Sequence, residues 1–390
     1  MGDSLRSTAQ GVARVVAEKA EAVERRVLDR LRRWVEHETP SGDEPACIAL
    51  ATDIASVFSG AGAEVETVDA PGWGRHVVAR LPGREAGLDP IVVLGHLDTV
   101  HKRGTITRQP FRIVDGRAEG PGIYDMKAGL AVLAEAAILL RETGSMARRP
   151  VTIVMTCDEE VGSETSRVLI ESLARGAAAT LVLEPSLSDG AAKTRRKGVA
   201  IYRVTAHGRA SHAGLEPEKG VSAILELTRQ IADLWTLEKP EIGTTINVGL
   251  ISGGTASNVV PAEAWAEIDV RFTTDDEARR IDDAVNALRP ALPGARLTIE
   301  GGVNRPPFER TDEVVRLYHH ARELAAEIGF ELGEGGAGGA SDGNFTAALG
   351  VPTLDGLGPL GGGAHSTEEH VVIADLTRRA AFYGRLLETL

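Results

Sequence analysis

Acidic and imidazole side chains come within a few residues of the ends of three short apolar segments of this 390-residue chain. The segments span residues 91–94, 151–156 and 180–183, and two more such side chains lie in glycine-containing loops. Ligands of open α/β sheets collect outside the carboxyl ends of the strands, so we expect these groups to lie close together. Five carboxylates at one sheet edge would repel one another without a cation, and the pattern therefore predicts a metal site. The side chains concerned are His96, Asp98, Asp125, Glu159, Glu160, Glu184 and His365.

Carboxylate oxygens and imidazole nitrogens suit Zn²⁺, and also Co²⁺ or Mn²⁺. Their number exceeds what one tetrahedral catalytic site needs, so we expect two metal ions about 3.5–4 Å apart, bridged by a carboxylate and a water. Asp98 follows His96 by two residues and can accept its second ring N–H. Glu159 and Glu160 are adjacent and diverge, so one can bind metal while the other acts as general base.

Apolar strands alternate with helices in the first half of the chain and again at its end. Helices are predicted over 8–38, 44–58, 127–142, 164–174 and 312–328, with a last helix at the C-terminus. Strands are predicted over 64–68, 91–94, 151–156, 180–183 and 351–354. This alternation predicts an α/β fold with a mostly parallel sheet flanked by helices.

The pattern changes between residues 198 and 306. Strands are predicted over 199–206, 244–251, 262–273 and 295–301, and helices over 220–237 and 275–288. That order is β-α-β-β-α-β, the ferredoxin-like unit. The predicted domains are therefore 1–197 plus 307–390, and an inserted domain over 198–306.

Composition excludes several classes of function. Lys and Arg number 43 against 56 Asp and Glu, a net charge of −13, which argues against nucleic-acid binding. No run of 18 apolar residues is present to span a membrane, and Met1–Gln10 lacks the apolar core of a signal peptide. With only two cysteines, no disulfide framework is expected, and a cytoplasmic location is predicted.

Five motifs in chain order resemble the di-zinc aminoacylase and carboxypeptidase superfamily, and within it the bacterial glutamate carboxypeptidase branch most of all. That superfamily includes aminoacylase, succinyl-diaminopimelate desuccinylase and acetylornithine deacetylase. The motifs are His96-x-Asp98, Gly122-x-x-Asp125-Met126-Lys127-Ala128-Gly129, Asp158-Glu159-Glu160-x-Gly162-Ser163, Glu184-Pro185 and the late His365.

The resemblance implies a role for each of these residues. Asp125 would bridge two Zn²⁺ ions per subunit, and the peptide bond that follows it would be cis. Glu159 would activate a bridging hydroxide as general base and later protonate the leaving amine, while Asp98 would orient an imidazole ligand. The remaining ligands would be His96 and Glu184 at one ion, and Glu160 and His365 at the other.

The inserted domain resembles the lid and dimerisation domain of the same enzymes. His212 matches a histidine that relatives supply from the partner subunit to stabilise the oxyanion. Asn258 matches an asparagine loop near the substrate, and Arg271 lies on the polar face of the next strand. Lys193 and Arg305 fall roughly where glutamate carboxypeptidases hold substrate carboxylates. Gly338-Gly339-Ala340-Ser341-Asp342 fits the Gly-Gly-x-Ser-Asp motif that many relatives carry, which implies that it lines the pocket. Glutamate-releasing enzymes more often have Gly-Gly-Gly-Thr-Asp there.

Other sites are less well supported. Cys157 ends a predicted buried strand, and no base is paired with it. Ser341 lies in a Gly-x-Ser-x-Gly spelling, but no buried strand precedes it, as a serine hydrolase would require. Surface or packing roles are expected for His37, His76, His101, His207, His319, His320 and His370.

The sequence thus predicts a homodimeric metallohydrolase that cleaves amide bonds in small peptides or N-acyl amino acids. A C-terminal amino acid such as glutamate would be released. The alternative is an N-acyl amino acid deacylase or desuccinylase without glutamate preference. A catalytically silent relative that only binds metal or peptide is a third interpretation.

Overall fold

The computed structural model describes residues 11–390, which divide into two compact units. The first unit takes the described residues up to Arg195 together with Arg310–Ala337 and Ser341–Leu390. The second takes Arg196–Glu309 and Gly338–Ala340. Residues 8–10 of the first predicted helix, and the N-terminal segment tested for a signal peptide, lie outside the described residues.

Eleven α-helices and sixteen strands are numbered in chain order within residues 11–390. The helices are α1 (Gly11–Glu18), α2 (Ala20–Glu36), α3 (Glu44–Gly60), α4 (Thr105–Arg108), α5 (Ala128–Thr143), α6 (Arg167–Ala174), α7 (Ala223–Trp235), α8 (Asp275–Asn286), α9 (Asp312–Ile328), α10 (Gly343–Ala348) and α11 (Ile373–Thr389). The strands are β1 (Glu64–Ala70), β2 (Gly74–Leu81), β3 (Ile91–His96), β4 (Arg112–Val114), β5 (Arg117–Glu119), β6 (Val151–Thr156), β7 (Ala179–Val182), β8 (Ala192–Arg196), β9 (Gly198–His207), β10 (Thr245–Gly253), β11 (Glu263–Phe272), β12 (Arg296–Arg305), β13 (Glu334–Ala337), β14 (Thr353–Leu354), β15 (Gly361–Gly362) and β16 (His370–Val372).

A six-stranded sheet in the order β1-β2-β6-β3-β7-β14 forms the centre of the first unit. The pairs β6–β3, β3–β7 and β7–β14 are parallel, while β1 and β2 are antiparallel to their neighbours. Every residue of β3, β6 and β7 is buried, as apolar strands covered on both faces should be. The α/β prediction is confirmed, and the carboxyl ends of β3, β6 and β7 lie side by side.

Strand β2 was not predicted, although it lies inside this sheet between β1 and β6. Its sequence, GRHVVARL, carries an arginine and a histidine before the apolar residues and so lacks a clear period of two. The first predicted helix is divided into α1 and α2 at Lys19, whose φ of −123° is not helical. The break at Lys19 has no glycine or proline signal in the sequence, whereas Pro71-Gly72 and Pro82-Gly83 flank β2 as turn signals.

Helix α5 is buried along most of its length in the main core. A Cβ atom at Gly129, in its first turn, would lie 2.4 Å from the carbonyl oxygen of Leu183. Only glycine therefore allows the start of α5 to lie this close to the segment that follows β7. Since α5 begins three residues after Asp125, this contact brings the Asp125 loop to the carboxyl edge of the sheet.

A second sheet, in the order β15-β16-β5-β4, joins two segments that are distant in sequence. Strand β16 pairs antiparallel with β5, with His370 opposite Glu119. The loop that carries His365 is thereby held beside the loop that carries Asp125. A two-stranded sheet of β13 and β8 completes the strands of this unit.

The second unit is a four-stranded antiparallel sheet in the order β10-β11-β9-β12. Its elements follow one another as β9-α7-β10-β11-α8-β12, the order expected from the sequence. Along β11 every second residue is buried, and these side chains join α7 and α8 in one apolar cluster. Within residues 11–390, no helix is both long enough and apolar enough to cross a membrane.

Candidate metal centre

His96 is the last residue of β3, and its ring lies among carboxylates. Its Nε2 is 3.2 Å from Oδ1 of Asp125 and 3.5 Å from Oε1 of Glu184. Only 1% of the residue is exposed. Burial by itself lowers the pKa of His96, but hydrogen bonds to Asp125, Asp98 and Glu184 outweigh it and raise the pKa well above the usual value.

His365 approaches the same aspartate from the opposite part of the chain. Its Nε2 is 3.2 Å from Oδ2 of Asp125 and 3.3 Å from Oε2 of Glu160. These two carboxylates raise the pKa of His365 to about 10, because they stabilise its charged form. The two oxygens of Asp125 therefore face different imidazoles, which is the arrangement of a carboxylate between two cation sites.

The donor atoms fit cations rather than a closed set of hydrogen bonds. Donor atoms of His96, Glu159 and Glu184 lie within 4.8 Å of one another, and so do those of His96, Asp125 and Glu160. Burial raises the pKa of Glu160, and its Oε1 has no hydrogen-bond partner within residues 11–390. A buried carboxylate oxygen without a partner is costly, and a cation would satisfy it.

Asp98 differs from the prediction in the atom that it offers to His96. The backbone carbonyl oxygen of Asp98 is 3.0 Å from Nδ1 of His96, whereas its carboxylate Oδ1 is 3.6 Å away. The carboxylate instead accepts the Ser41 hydroxyl at 2.6 Å and the N–H groups of Glu159 and Glu160 at 3.3 Å each. Asp98 thus holds the turn that presents both glutamates, in addition to fixing the imidazole.

Two buried carboxylates that the sequence did not assign also hold the loops of the centre. Asp342 accepts hydrogen bonds from Thr156, at the end of β6, and from Ser163, beyond the two glutamates. Glu369 contacts the loop before Asp125. A weak signal existed for both, since Asp342 belongs to the Ser-Asp motif and Glu369 follows His365 by one helical turn's spacing.

The peptide bond between Asp125 and Met126 is cis, as the resemblance implied.

Ser341, the alternative nucleophile, is buried, and its hydroxyl group donates a hydrogen bond to the Asp355 carboxylate at 2.6 Å. The Ser341 hydroxyl therefore holds a buried carboxylate and is not exposed as a nucleophile would be.

Cys157 has an imidazole neighbour that the sequence did not reveal. Its Sγ lies 3.5 Å from Nδ1 of His76, so the expectation that no base is paired with Cys157 is wrong. His76 is 1% exposed, which agrees with the packing role expected for it. Burial raises the pKa of Cys157 and lowers that of His76. Both groups are therefore neutral near pH 7, and the thiol is not activated as a nucleophile.

The predicted substrate residues are distributed over both units. Lys193 lies in the first unit, is 7% exposed and pairs through its backbone with Asp355. In the second unit, Arg271 forms two 2.6 Å hydrogen bonds with Asp269 of its own strand. Arg305 is 4% exposed. The remaining two, His212 and Asn258, are exposed residues of the second unit.

Cation binding should displace protons from this centre. In the metal-free protein both rings are positively charged imidazolium groups at pH 7, because the pKa of His365 is about 10 and that of His96 is also far above its usual value. Only the neutral ring has a lone pair with which to bind a cation. Metal affinity should therefore rise as pH rises toward 10. Calorimetric titration of Zn²⁺ near pH 7 in buffers of different ionisation enthalpy should show about one proton released per imidazole. A heat of binding independent of the buffer would contradict this.

Comparison with known proteins agrees with the metallopeptidase resemblance of the five motifs. Residues 92–389 match the profile of Peptidase family M20/M25/M40. The chain is 31% identical over 374 residues to carboxypeptidase G2 of Pseudomonas sp. (strain RS-16), covering 93% of this chain and 89% of that protein. It is 29% identical over 338 residues to succinyl-diaminopimelate desuccinylase of Acidovorax ebreus (strain TPSY), covering 82% and 85%. The crystal structure of aminopeptidase PepT from Bacillus cereus ATCC 10987 has a TM-score of 0.74 at 25% identity, covering 94% and 98%.

These matches confirm the resemblance drawn from the five motifs. They extend over both units of the chain. The chain therefore belongs to peptidase family M20/M25/M40 and is a metal-dependent hydrolase of amide bonds.

Proposed function

We propose that each subunit binds two Zn²⁺ ions, for which Co²⁺ or Mn²⁺ can substitute. Asp125 would bridge the two ions, with His96 and Glu184 at one and Glu160 and His365 at the other. The observation that carries this proposal is that the two oxygens of Asp125 face different imidazoles at 3.2 Å each. When bound, the cations would polarise the amide carbonyl and make a water more acidic.

Glu159 is the proposed general base. One of its carboxylate oxygens lies within 4.8 Å of donor atoms of both His96 and Glu184. From this position it would accept a proton from the attacking water and later deliver it to the nitrogen of the leaving amine. Asp98 keeps the carboxylate in place through the backbone N–H of Glu159.

His212 is the proposed donor to the oxyanion that forms at the carbonyl. Its Nδ1 accepts the N–H groups of Gly214 and Leu215 at 3.1 and 3.2 Å. A neutral ring with Nδ1 as acceptor carries its proton on Nε2. That N–H is available to stabilise negative charge on oxygen.

The second unit is the proposed dimerisation surface, and the partner subunit would supply His212. Strand β10 is an edge strand on which Leu250 is 55% and Ile251 63% exposed. On α7, Ile224 and Leu225 are also exposed. An open strand edge with exposed apolar side chains needs a cover, and a second copy of this chain would provide one.

Mixed dimers test the sharing of His212. A His212→Ala chain and an Asp125→Ala chain should each be inactive alone. Co-refolding equal amounts should restore about a quarter of the parent activity per total subunit. Random mixing makes about half of the dimers mixed, and each mixed dimer has one of its two sites with both Asp125 and His212 intact. Size-exclusion chromatography checks that dimers form. Dimers without restored activity would indicate that each subunit uses its own histidine.

The proposed substrates are small peptides or N-acyl amino acids with a free carboxylate on the leaving amino acid, glutamate in particular. Arg271 and Arg305 are candidates for holding that carboxylate, since a guanidinium binds carboxylates through two parallel hydrogen bonds. Lys193 and Asn258 are the other proposed contacts. The 31% identity to carboxypeptidase G2 over most of both chains supports this choice.

A cavity beside His365 favours a second candidate, an N-acyl deacylase for acyl groups that carry an acid. The cavity has a volume of about 440 Å³, and its lining includes His101, Arg108, Gln109 and Arg112 but no carboxylate residue. Neither polar side-chain atom of Gln109 has a hydrogen-bond partner within residues 11–390. Guanidinium and amide groups of this kind suit an acyl carboxylate, although Arg112 also pairs with Glu119.

Hydrolysis of a matched substrate panel decides between the two candidates. In the first series, Zn²⁺-loaded protein would be offered N-benzoyl amino acids that differ only in the amino acid. This series would include N-benzoyl glutamate esters, in which the carboxylate is blocked. A second series would compare N-succinyl with N-butanoyl groups on one amino acid. Faster hydrolysis of N-benzoyl glutamate with a free carboxylate than of the other compounds in the first series supports the carboxypeptidase. Faster hydrolysis of the N-succinyl than of the N-butanoyl compound supports the deacylase. Absence of hydrolysis in both series would overturn both.

We also propose a cytoplasmic location. Both cysteines are buried and free, as is usual for proteins of a reducing compartment.

A further inference from the structure

The loop that ends at Asp125 is held by one buried side chain. The carboxylate of Glu369 accepts the backbone N–H groups of Gly122 at 2.9 Å, Tyr124 at 2.8 Å and Asp125 at 2.9 Å. Glu369 is 0% exposed and lies next to β16. Three backbone N–H groups of the loop thus depend on a residue more than 240 positions away in the chain.

A fourth partner completes the contacts of this carboxylate. Nε2 of His101 lies 2.6 Å from Oε2 of Glu369, the same oxygen that accepts the Gly122 N–H. The other oxygen, Oε1, accepts the N–H groups of Tyr124 and Asp125. A carboxylate has about four lone-pair sites, and all four are used here. Glu369 therefore has no remaining site with which to bind a cation directly.

The shape of the loop also depends on a glycine before Asp125. Gly122 has a φ of 68°, and a Cβ atom there would lie 2.4 Å from Cγ2 of Thr99. The loop is therefore shaped for glycine and turns sharply before the aspartate. The N–H of Asp125 itself donates to Glu369, so Glu369 holds the backbone from which the Asp125 carboxylate reaches His96 and His365.

We propose that Glu369 is a positioning residue of the metal centre, fixed by His101, which aims the Asp125 carboxylate at its two cation sites. This inference rests on the metal site proposed above. Groups that orient metal ligands in this way typically change metal affinity by about 10- to 100-fold when they are replaced. Glu369 would do so through backbone N–H groups rather than through a ligand's side chain.

The test is Co²⁺ binding to metal-free Glu369→Gln, which needs no substrate. The new amide group must point its NH₂ at the N–H of Gly122 or at those of Tyr124 and Asp125, so at least one of these donors loses its acceptor. We expect Co²⁺ affinity to fall by about 10- to 100-fold and the visible d–d absorption bands to shift. Glu368→Gln is the matched control, because Glu368 is the adjacent and exposed glutamate. It should bind Co²⁺ as the parent does.

Each outcome decides the proposal. A folded Glu369→Gln protein with parental Co²⁺ affinity and bands would overturn it, even with a lower unfolding temperature, since that result describes a brace of the fold only. Glu369→Asp, which keeps the charge but shortens the side chain, is the second variant and should also weaken binding. Failure of both variants to fold would likewise assign a purely structural role. Should the parent bind Co²⁺ but hydrolyse nothing, the proposed reaction fails while this inference stands.

Discussion

Replacing Glu159 with alanine should leave both cations bound and reduce kcat by about 10²- to 10⁴-fold, the usual contribution of a general base. The effect is large because the neighbouring carboxylates of the centre have other proposed roles. Asp125, Glu160 and Glu184 are proposed ligands. Turnover of the best substrate, measured together with metal content by elemental analysis, checks this prediction. The substrate KM should change much less than kcat.

The measurement of metal content distinguishes a general base at Glu159 from a metal ligand at this position. Glu159 lies close enough to His96 and Glu184 to be a ligand itself, since their donor atoms are within 4.8 Å of one another. Loss of a cation from Glu159→Ala would therefore reassign it as a ligand, whereas retained activity would remove it from the mechanism. Glu164→Gln, an exposed glutamate of the same loop, should change neither quantity.

The ligand-bearing positions could be predicted because parallel strands end at one edge of a sheet. His96, the two glutamates after β6 and Glu184 were placed together by this rule alone. Asp125 and His365 lie in loops, where spacing decides little, and their roles came from resemblance to known motifs. The structure adds that β16 and β5 bring those two loops together.

The groups that hold the ligands could not be predicted in the same way. Glu369 and Asp342 act through contacts with backbone and hydroxyl groups 179 to 247 residues distant. Such contacts leave no periodic pattern, and an isolated acid in the sequence resembles a solvated surface residue. The use of the Asp98 carboxylate for backbone N–H groups was missed for the same reason, because spacing constrains only its position relative to His96.

Replacing Asp125 with asparagine should cause the second large loss. The substitution preserves size but turns one of the two oxygens that face His96 and His365 into an NH₂ group, which cannot bind a cation. We expect about one Zn²⁺ to be lost per subunit, and kcat to fall by about 10³-fold or more, since a catalytic cation contributes several kcal/mol. Elemental analysis and turnover measure the two effects. Asp115→Asn is the matched control, because Asp115 is exposed at the turn between β4 and β5.

Asparagine at Asp125 also separates a bridging role from a merely electrostatic one. If Asp125 only supplied charge to the two imidazoles, its loss would lower their pKa values and ease their deprotonation, so metal affinity near pH 7 would not fall. A bridge predicts the opposite sign, since the gain in imidazole deprotonation is smaller than the loss of a shared ligand. Retention of both cations by Asp125→Asn would therefore contradict the bridge. In that case the two oxygens of Asp125 would serve the imidazoles and not the cations.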